Sequence, residues 1–128
     1  MMGPIPEPLM ARILLAEDDD SLRSFLVTSL TRAGHAVDAY GDGDSAWEAL
    51  EKGEYDLLLT DIVMPGLDGI ELARRGAEVA PGMKIVFITG FAAVALSAQS
   101  QAPKDAKVLS KPFHLKDLVA EVERVIAA

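Results

Sequence analysis

The sequence predicts a doubly wound α/β domain, with a parallel five-stranded sheet in the order 2-1-3-4-5 and helices on both faces. Three observations lead there. Short apolar runs recur along the chain, and most are apolar at consecutive positions rather than alternate ones. Stretches with helical spacing lie between them, so strands buried on both faces are joined by helical crossovers. The second strand in chain order is short and half polar, which suits a sheet edge and selects this strand order. A chain of 128 residues, 50% hydrophobic and 25% charged, holds one such domain.

Residues 1–10 carry Pro4, Pro6 and Pro8 without periodicity and are expected to form a flexible tail, leaving residues 11–128 as the domain. Met10 is an equally plausible start. Ile13 to Ala16 is the first buried run. Leu22, Phe25, Leu26 and Leu30 recur at i, i+3, i+4 and i+8, which is one helix face, and Gly34 stands where a C-terminal glycine cap belongs. Val37 to Tyr40 is the half-polar edge strand, and Gly41-Asp42-Gly43 is a turn. Ala46, Trp47 and Leu50 line the second helix, which Gly53 ends. Leu57-Leu58-Leu59 and Ile85 to Ile88 are further buried runs, with a helix from Ile70 to Val79 between them that Pro81 closes. Ala92 to Gln99 is an alanine-rich helix, and Val108-Leu109 is the last buried run. Leu115, Leu118, Val119, Val122 and Ile126 form the clearest helix face. Together these make a flavodoxin-like three-layer sandwich.

Composition removes several function classes. With no cysteine there is no disulfide scaffold, thiolate zinc site or thiol nucleophile. A net charge of −8 argues against sequence-independent binding to nucleic acid or anionic lipid, so neither is expected as a partner. No apolar run reaches the roughly 18–20 residues that cross a bilayer. Without a basic and apolar leader at the start, the expected location is the cytoplasm.

In a doubly wound sheet, ligands bind beyond the carboxyl ends of the strands. The first strand ends in Glu17-Asp18-Asp19-Asp20, the third in Thr60-Asp61, the fourth in Thr89-Gly90 and the fifth in Ser110-Lys111-Pro112. Carboxylates brought together there would repel, and a divalent cation relieves that. An all-oxygen donor set suits Mg2+. Lys111 and Thr89 suit an oxyanion. Asp61 is then the natural phosphoryl acceptor, because carboxylates act as phosphoryl nucleophiles. The plain structural alternative is that Asp19 or Asp20 caps a helix, Asp61 occupies a turn and Lys111 lies on the surface. The convergence of acids, hydroxyl and lysine at one edge favours the site.

Ile13 to Asp19, Thr60 to Gly69 with its Met64-Pro65-Gly66 and Asp68-Gly69 turns, Ile88-Thr89-Gly90 and Lys111-Pro112-Phe113 resemble the signature of response-regulator receiver domains in two-component systems. The resemblance spans Arg12 to Ala128. It implies that Asp61 is the phosphorylated aspartate and that Glu17, Asp18 and Asp61 hold Mg2+ together with the main-chain carbonyl of Val63. It implies that Thr89 is the switch hydroxyl, that Lys111 contacts the phosphoryl oxygens and that Lys111-Pro112 is a cis peptide. The loop glycines are expected to adopt positive φ. The implied donor is a histidine kinase or a histidine phosphotransfer protein.

The chain departs from the family in one respect. Many receivers carry an aromatic residue three positions before the lysine, where this chain has Val108. Phe91 is a substitute candidate for relaying the switch. Val63 and Phe91 would also flank the path of a hydrolytic water that neither can orient, so slow self-dephosphorylation is expected.

The expected output is protein binding by a stand-alone receiver, monomeric or weakly dimeric on phosphorylation, rather than turnover of a substrate. The apolar end Val125-Ile126-Ala127-Ala128, with resemblance to a stand-alone subgroup, adds a ClpX-type unfoldase as a candidate partner in regulated proteolysis, although a frayed helix end is the simpler reading. Other classes fit less well. A pseudo-receiver would not need the full acid, hydroxyl and lysine set. A dehalogenase-like phosphatase needs an acid two residues after the nucleophile, where Val63 stands. A flavin carrier would not place four acids where a phosphate must bind.

Overall fold

The computed structural model describes residues 10–90 and 101–128. Five strands, β1 (Arg12–Ala16), β2 (Ala36–Tyr40), β3 (Leu57–Thr60), β4 (Lys84–Thr89) and β5 (Lys107–Ser110), form one sheet in the order β2-β1-β3-β4-β5. All four pairings are parallel. The helices among the described residues are α1 (Asp20–Arg32), α2 (Gly43–Lys52), α3 (Gly69–Val79) and α4 (Leu115–Ala127). The chain therefore adopts the predicted doubly wound fold. Residues 1–9 of the expected tail, the helix at Ala92 to Gln99 and Phe91 lie outside the described residues.

The sheet divides the core by residue parity. Ile13, Leu15, Leu57, Leu59, Val86 and Ile88 pack with Leu26 and Leu30 of α1 and with Leu118, Val122 and Val125 of α4. Leu14, Ala16, Leu58, Ile85 and Phe87 pack on the opposite side with Ala46 and Leu50 of α2 and Leu72 and Ala73 of α3. Successive strand residues point to opposite faces, so a strand apolar at consecutive positions feeds both layers.

Helix ends follow local chemistry. Asp19, Asp42 and Asp68 each cap a helix by accepting from a backbone amide three residues on. Gly34, at φ 103°, lets the chain leave α1, and the His35 amide donates back to the Leu30 carbonyl. His35 is buried, and its Nδ1 accepts from the Ala11 amide at 3.1 Å.

Three expectations need correction. Phe25 is not part of the buried face of α1 but is 57% exposed, because the sheet meets only the Leu26–Leu30 stripe. Val108 and Leu109 are half-buried rather than buried, since β5 lies at the sheet edge. Val125, counted with the apolar end, packs into the core, and only Ala127 and Ala128 of that end are exposed.

Candidate functional site

The sheet register gathers the predicted residues at one edge. The Asp61 amide donates to the Ala16 carbonyl at 2.9 Å, which sets Asp61 beside the end of β1. The Lys111 amide donates to the Thr89 carbonyl at 2.8 Å, which continues the β4–β5 ladder into the loop carrying Lys111. The Lys111-Pro112 bond is cis, as expected. Glu17, Asp18 and Asp61 each present a carboxylate oxygen, and these atoms lie within 4.8 Å of one another.

Their surroundings differ. Glu17 and Thr89 are fully buried, Asp61 is 7% exposed and Asp18 is exposed. Lys111 Nζ donates to Asp61 Oδ2 at 2.7 Å and to Glu17 Oε1 at 2.9 Å. The other oxygens are also held: Glu17 Oε2 accepts from the Asp19 amide and Asp61 Oδ1 from the Ile62 amide. Burial pushes the Glu17 carboxyl above the usual carboxylate range, and the bonds from Lys111 and the Asp19 amide offset that only in part. Burial also opposes the charge on Lys111, but the bonds to Asp61 and Glu17 outweigh it and hold the ammonium above the ordinary lysine value. The donor set fits Mg2+: three carboxylates from two adjacent strand ends, all oxygen, with a single lysine for compensation.

The loop after Asp61 is held by close backbone contact. A Cβ on Gly69 would lie 1.8 Å from the Asp61 carbonyl oxygen, and one on Gly43 would lie 1.7 Å from the Leu67 carbonyl oxygen. Only Gly66 in this loop has positive φ, at 73°. The expectation that the loop glycines serve φ holds at Gly66 and is corrected at Gly69, which is required by space; Gly43, at the start of α2, is required by space as well. The Thr60 hydroxyl donates to the Asp61 carbonyl at 2.7 Å. Val63, two residues on, is 57% exposed.

The model of the response regulator receiver domain family matches residues 13–123. The chain belongs to that family. A receiver protein of Brucella abortus, CpdR, is 61% identical over 119 residues, covering 93% of this chain and 99% of that protein. The DNA-binding transcriptional regulator NtrC of Azospirillum brasilense is 34% identical over 116 residues, but the match spans only 24% of its length. Among solved structures, the Thermotoga maritima response regulator TrrA, in complex with Mg2+-BeF, superposes with a TM-score of 0.79 at 28% identity and covers 91% of this receiver and 99% of that chain. The receiver domain of the hybrid histidine kinase CckA gives 0.77 at 30% identity, over 90% and 98% of the two chains.

Sequence reasoning missed Arg23 in this receiver. Its Nη1 donates to the Glu17 carbonyl at 2.9 Å and its Nη2 to Asp20 Oδ1 at 2.7 Å. An arginine one turn into an exposed helix face carries no signal in the sequence, because its target is a main-chain oxygen.

Proposed function

We propose that this receiver is a phosphorylation-controlled binding module that accepts a phosphoryl group on Asp61 from a histidine kinase or a histidine phosphotransfer protein. The observation that carries the reading is the convergence of Glu17, Asp18 and Asp61 oxygens within 4.8 Å, with Lys111 Nζ at 2.7 Å from Asp61. A carboxylate oxygen of Asp61 attacks the phosphorus of a phosphorylated imidazole. The new P–O bond forms as the P–N bond breaks, and the electron pair leaves on the imidazole nitrogen, which takes a proton from solvent. Lys111 already sits on Asp61 and turns to the phosphoryl oxygens as charge builds there. Glu17, Asp18, Asp61 and the Val63 carbonyl would hold Mg2+, which when bound offsets charge on the transferring oxygens. Thr89, buried at the end of β4, supplies the hydroxyl that follows the phosphoryl group and changes the surface.

The output is altered protein binding in the cytoplasm by a monomer or a weak phosphorylation-dependent dimer. A ClpX-type unfoldase is the partner proposed on the resemblance to stand-alone receivers. The similarity to CpdR supports a regulator rather than an enzyme with its own substrate.

Intact mass after incubation with acetyl phosphate and Mg2+ tests the reading. A single phosphoryl adduct is expected, lost in Asp61→Asn and in EDTA. An adduct that persists in Asp61→Asn would move the acceptor elsewhere. No adduct from either acetyl phosphate or a phosphorylated histidine donor would leave a pseudo-receiver.

A further inference from the structure

Asp18 is the exposed member of the acid cluster, yet its carboxylate oxygen lies within 4.8 Å of those of Glu17 and Asp61. Its place is set by the two peptide units that flank it. On one side, the Glu17 carbonyl accepts from Arg23 Nη1 at 2.9 Å. On the other, the Asp19 amide donates to Glu17 Oε2 at 3.1 Å. The second restraint is internal to the loop, whereas the first comes from α1. The guanidinium is itself fixed. Nη2 is paired with Asp20 at 2.7 Å, the Arg23 side chain is 26% exposed, and a Cβ on Gly41 would lie 3.0 Å from Nη1. Gly41 thus leaves the space in which the fork lies. The guanidinium reaches the carbonyl and the carboxylate with two different nitrogens set in one rigid plane, a geometry that a single ammonium nitrogen does not reproduce.

We infer that Arg23 is a positioning residue for divalent-cation binding, acting through the Glu17 carbonyl on the orientation of Asp18. The inference rests on the reading of Glu17, Asp18 and Asp61 as cation ligands. It carries a sign that a simple charge effect does not. Arg23 is a cation beside an acidic site, so removing its charge would by Coulomb's law tighten binding of Mg2+. Loss of positioning weakens it, and groups that orient metal ligands are worth about 10–100-fold in affinity.

The test is calorimetric titration of the full chain with MgCl2 at constant ionic strength, comparing wild type with Arg23→Gln, Arg23→Lys and Gly41→Ala. Arg23→Gln is expected to bind about tenfold more weakly. Arg23→Lys keeps the charge but loses the fork, and it should also bind more weakly than wild type. Gly41→Ala changes no charge and displaces the guanidinium, so a smaller loss in the same direction is expected. Thermal unfolding of each variant shows whether it is folded; should Arg23→Gln fail to fold, the other two variants decide. Binding by Arg23→Gln as tight as wild type or tighter would overturn the inference, as would a wild-type affinity in both Arg23→Lys and Gly41→Ala. Wild type that takes up no Mg2+ would instead overturn the ligand reading itself, and the inference with it.

Discussion

At the residue scale, Lys111 is the group on which the site's electrostatics turn. It is the side-chain donor that Glu17 and Asp61 share, and one of those carboxylates is fully buried. Lys111→Met leaves both without a counter-charge. Breaking a fully buried pair costs about 3–5 kcal/mol, and because Lys111 is 28% exposed we expect a smaller loss of about 2 kcal/mol in urea unfolding at neutral pH. Saturating Mg2+ should restore part of that loss, since a ligand of the folded state alone stabilises it. Tyr55 makes a second prediction. Burial, with its bond to Asp38 at 2.7 Å, pushes the phenol up to about 12. The folded state then keeps a proton that the unfolded chain releases near pH 10. The contribution to stability is complete below pH 10 and disappears as pH rises toward 12. Phenolate absorbance in a pH titration should show one tyrosine ionising near pH 12, and Tyr55→Phe should remove that step.

At the scale of elements, the contacts that shape the loop after Asp61 are backbone against backbone. Gly43 opens α2 against the Leu67 carbonyl, and Gly69 opens α3 against the Asp61 carbonyl. Gly43→Ala and Gly69→Ala should each cost about 2–3 kcal/mol, in the range of overpacking, and Gly69→Ala should also slow labelling of Asp61. Gly82 has nothing within 4 Å of a built Cβ, so Gly82→Ala should be neutral or add up to about 1 kcal/mol. Chemical denaturation of the three variants separates these cases. The Asp42-Gly43 and Asp68-Gly69 steps read as turns in the sequence, and in the structure Asp42 and Asp68 are also the caps that start α2 and α3. That Gly43 and Gly69 answer to a crossing carbonyl could not be seen, because the path of the loop after Asp61 brings the Asp61 and Leu67 carbonyls there. The apolar runs marked β1, β3 and β4, because burial on both faces leaves a mark at consecutive positions. Phe25 misled because helical spacing defines a stripe but not its width.

At the scale of the whole molecule, the sheet order sets a gradient of protection. β1, β3 and β4 are interior strands with almost every residue buried, while β2 and β5 are edges with none. Hydrogen exchange should be slowest in the three central strands and faster in both edges. Equal protection of β5 and β3 would contradict the burial pattern. The same order explains why the site was legible before the fold was seen. A parallel sheet puts the carboxyl ends of its strands on one side, so Glu17, Asp61 and Lys111 meet although they lie far apart in the chain. Arg23 escaped because it reaches that side from a helix rather than from a strand end.

The division of the core by parity has a consequence for how changes in this protein combine. Leu14 and Leu15 are adjacent in the chain but belong to opposite layers, with the sheet between their side chains. Leu14 and Leu58 are distant in the chain but face each other across β1 and β3 in the same layer. In double-mutant cycles, substitutions at Leu14 and Leu15 should add, while those at Leu14 and Leu58 should not. Mutational history would then accumulate as two nearly separate ledgers along one chain, with compensating changes confined to the layer where the first one fell.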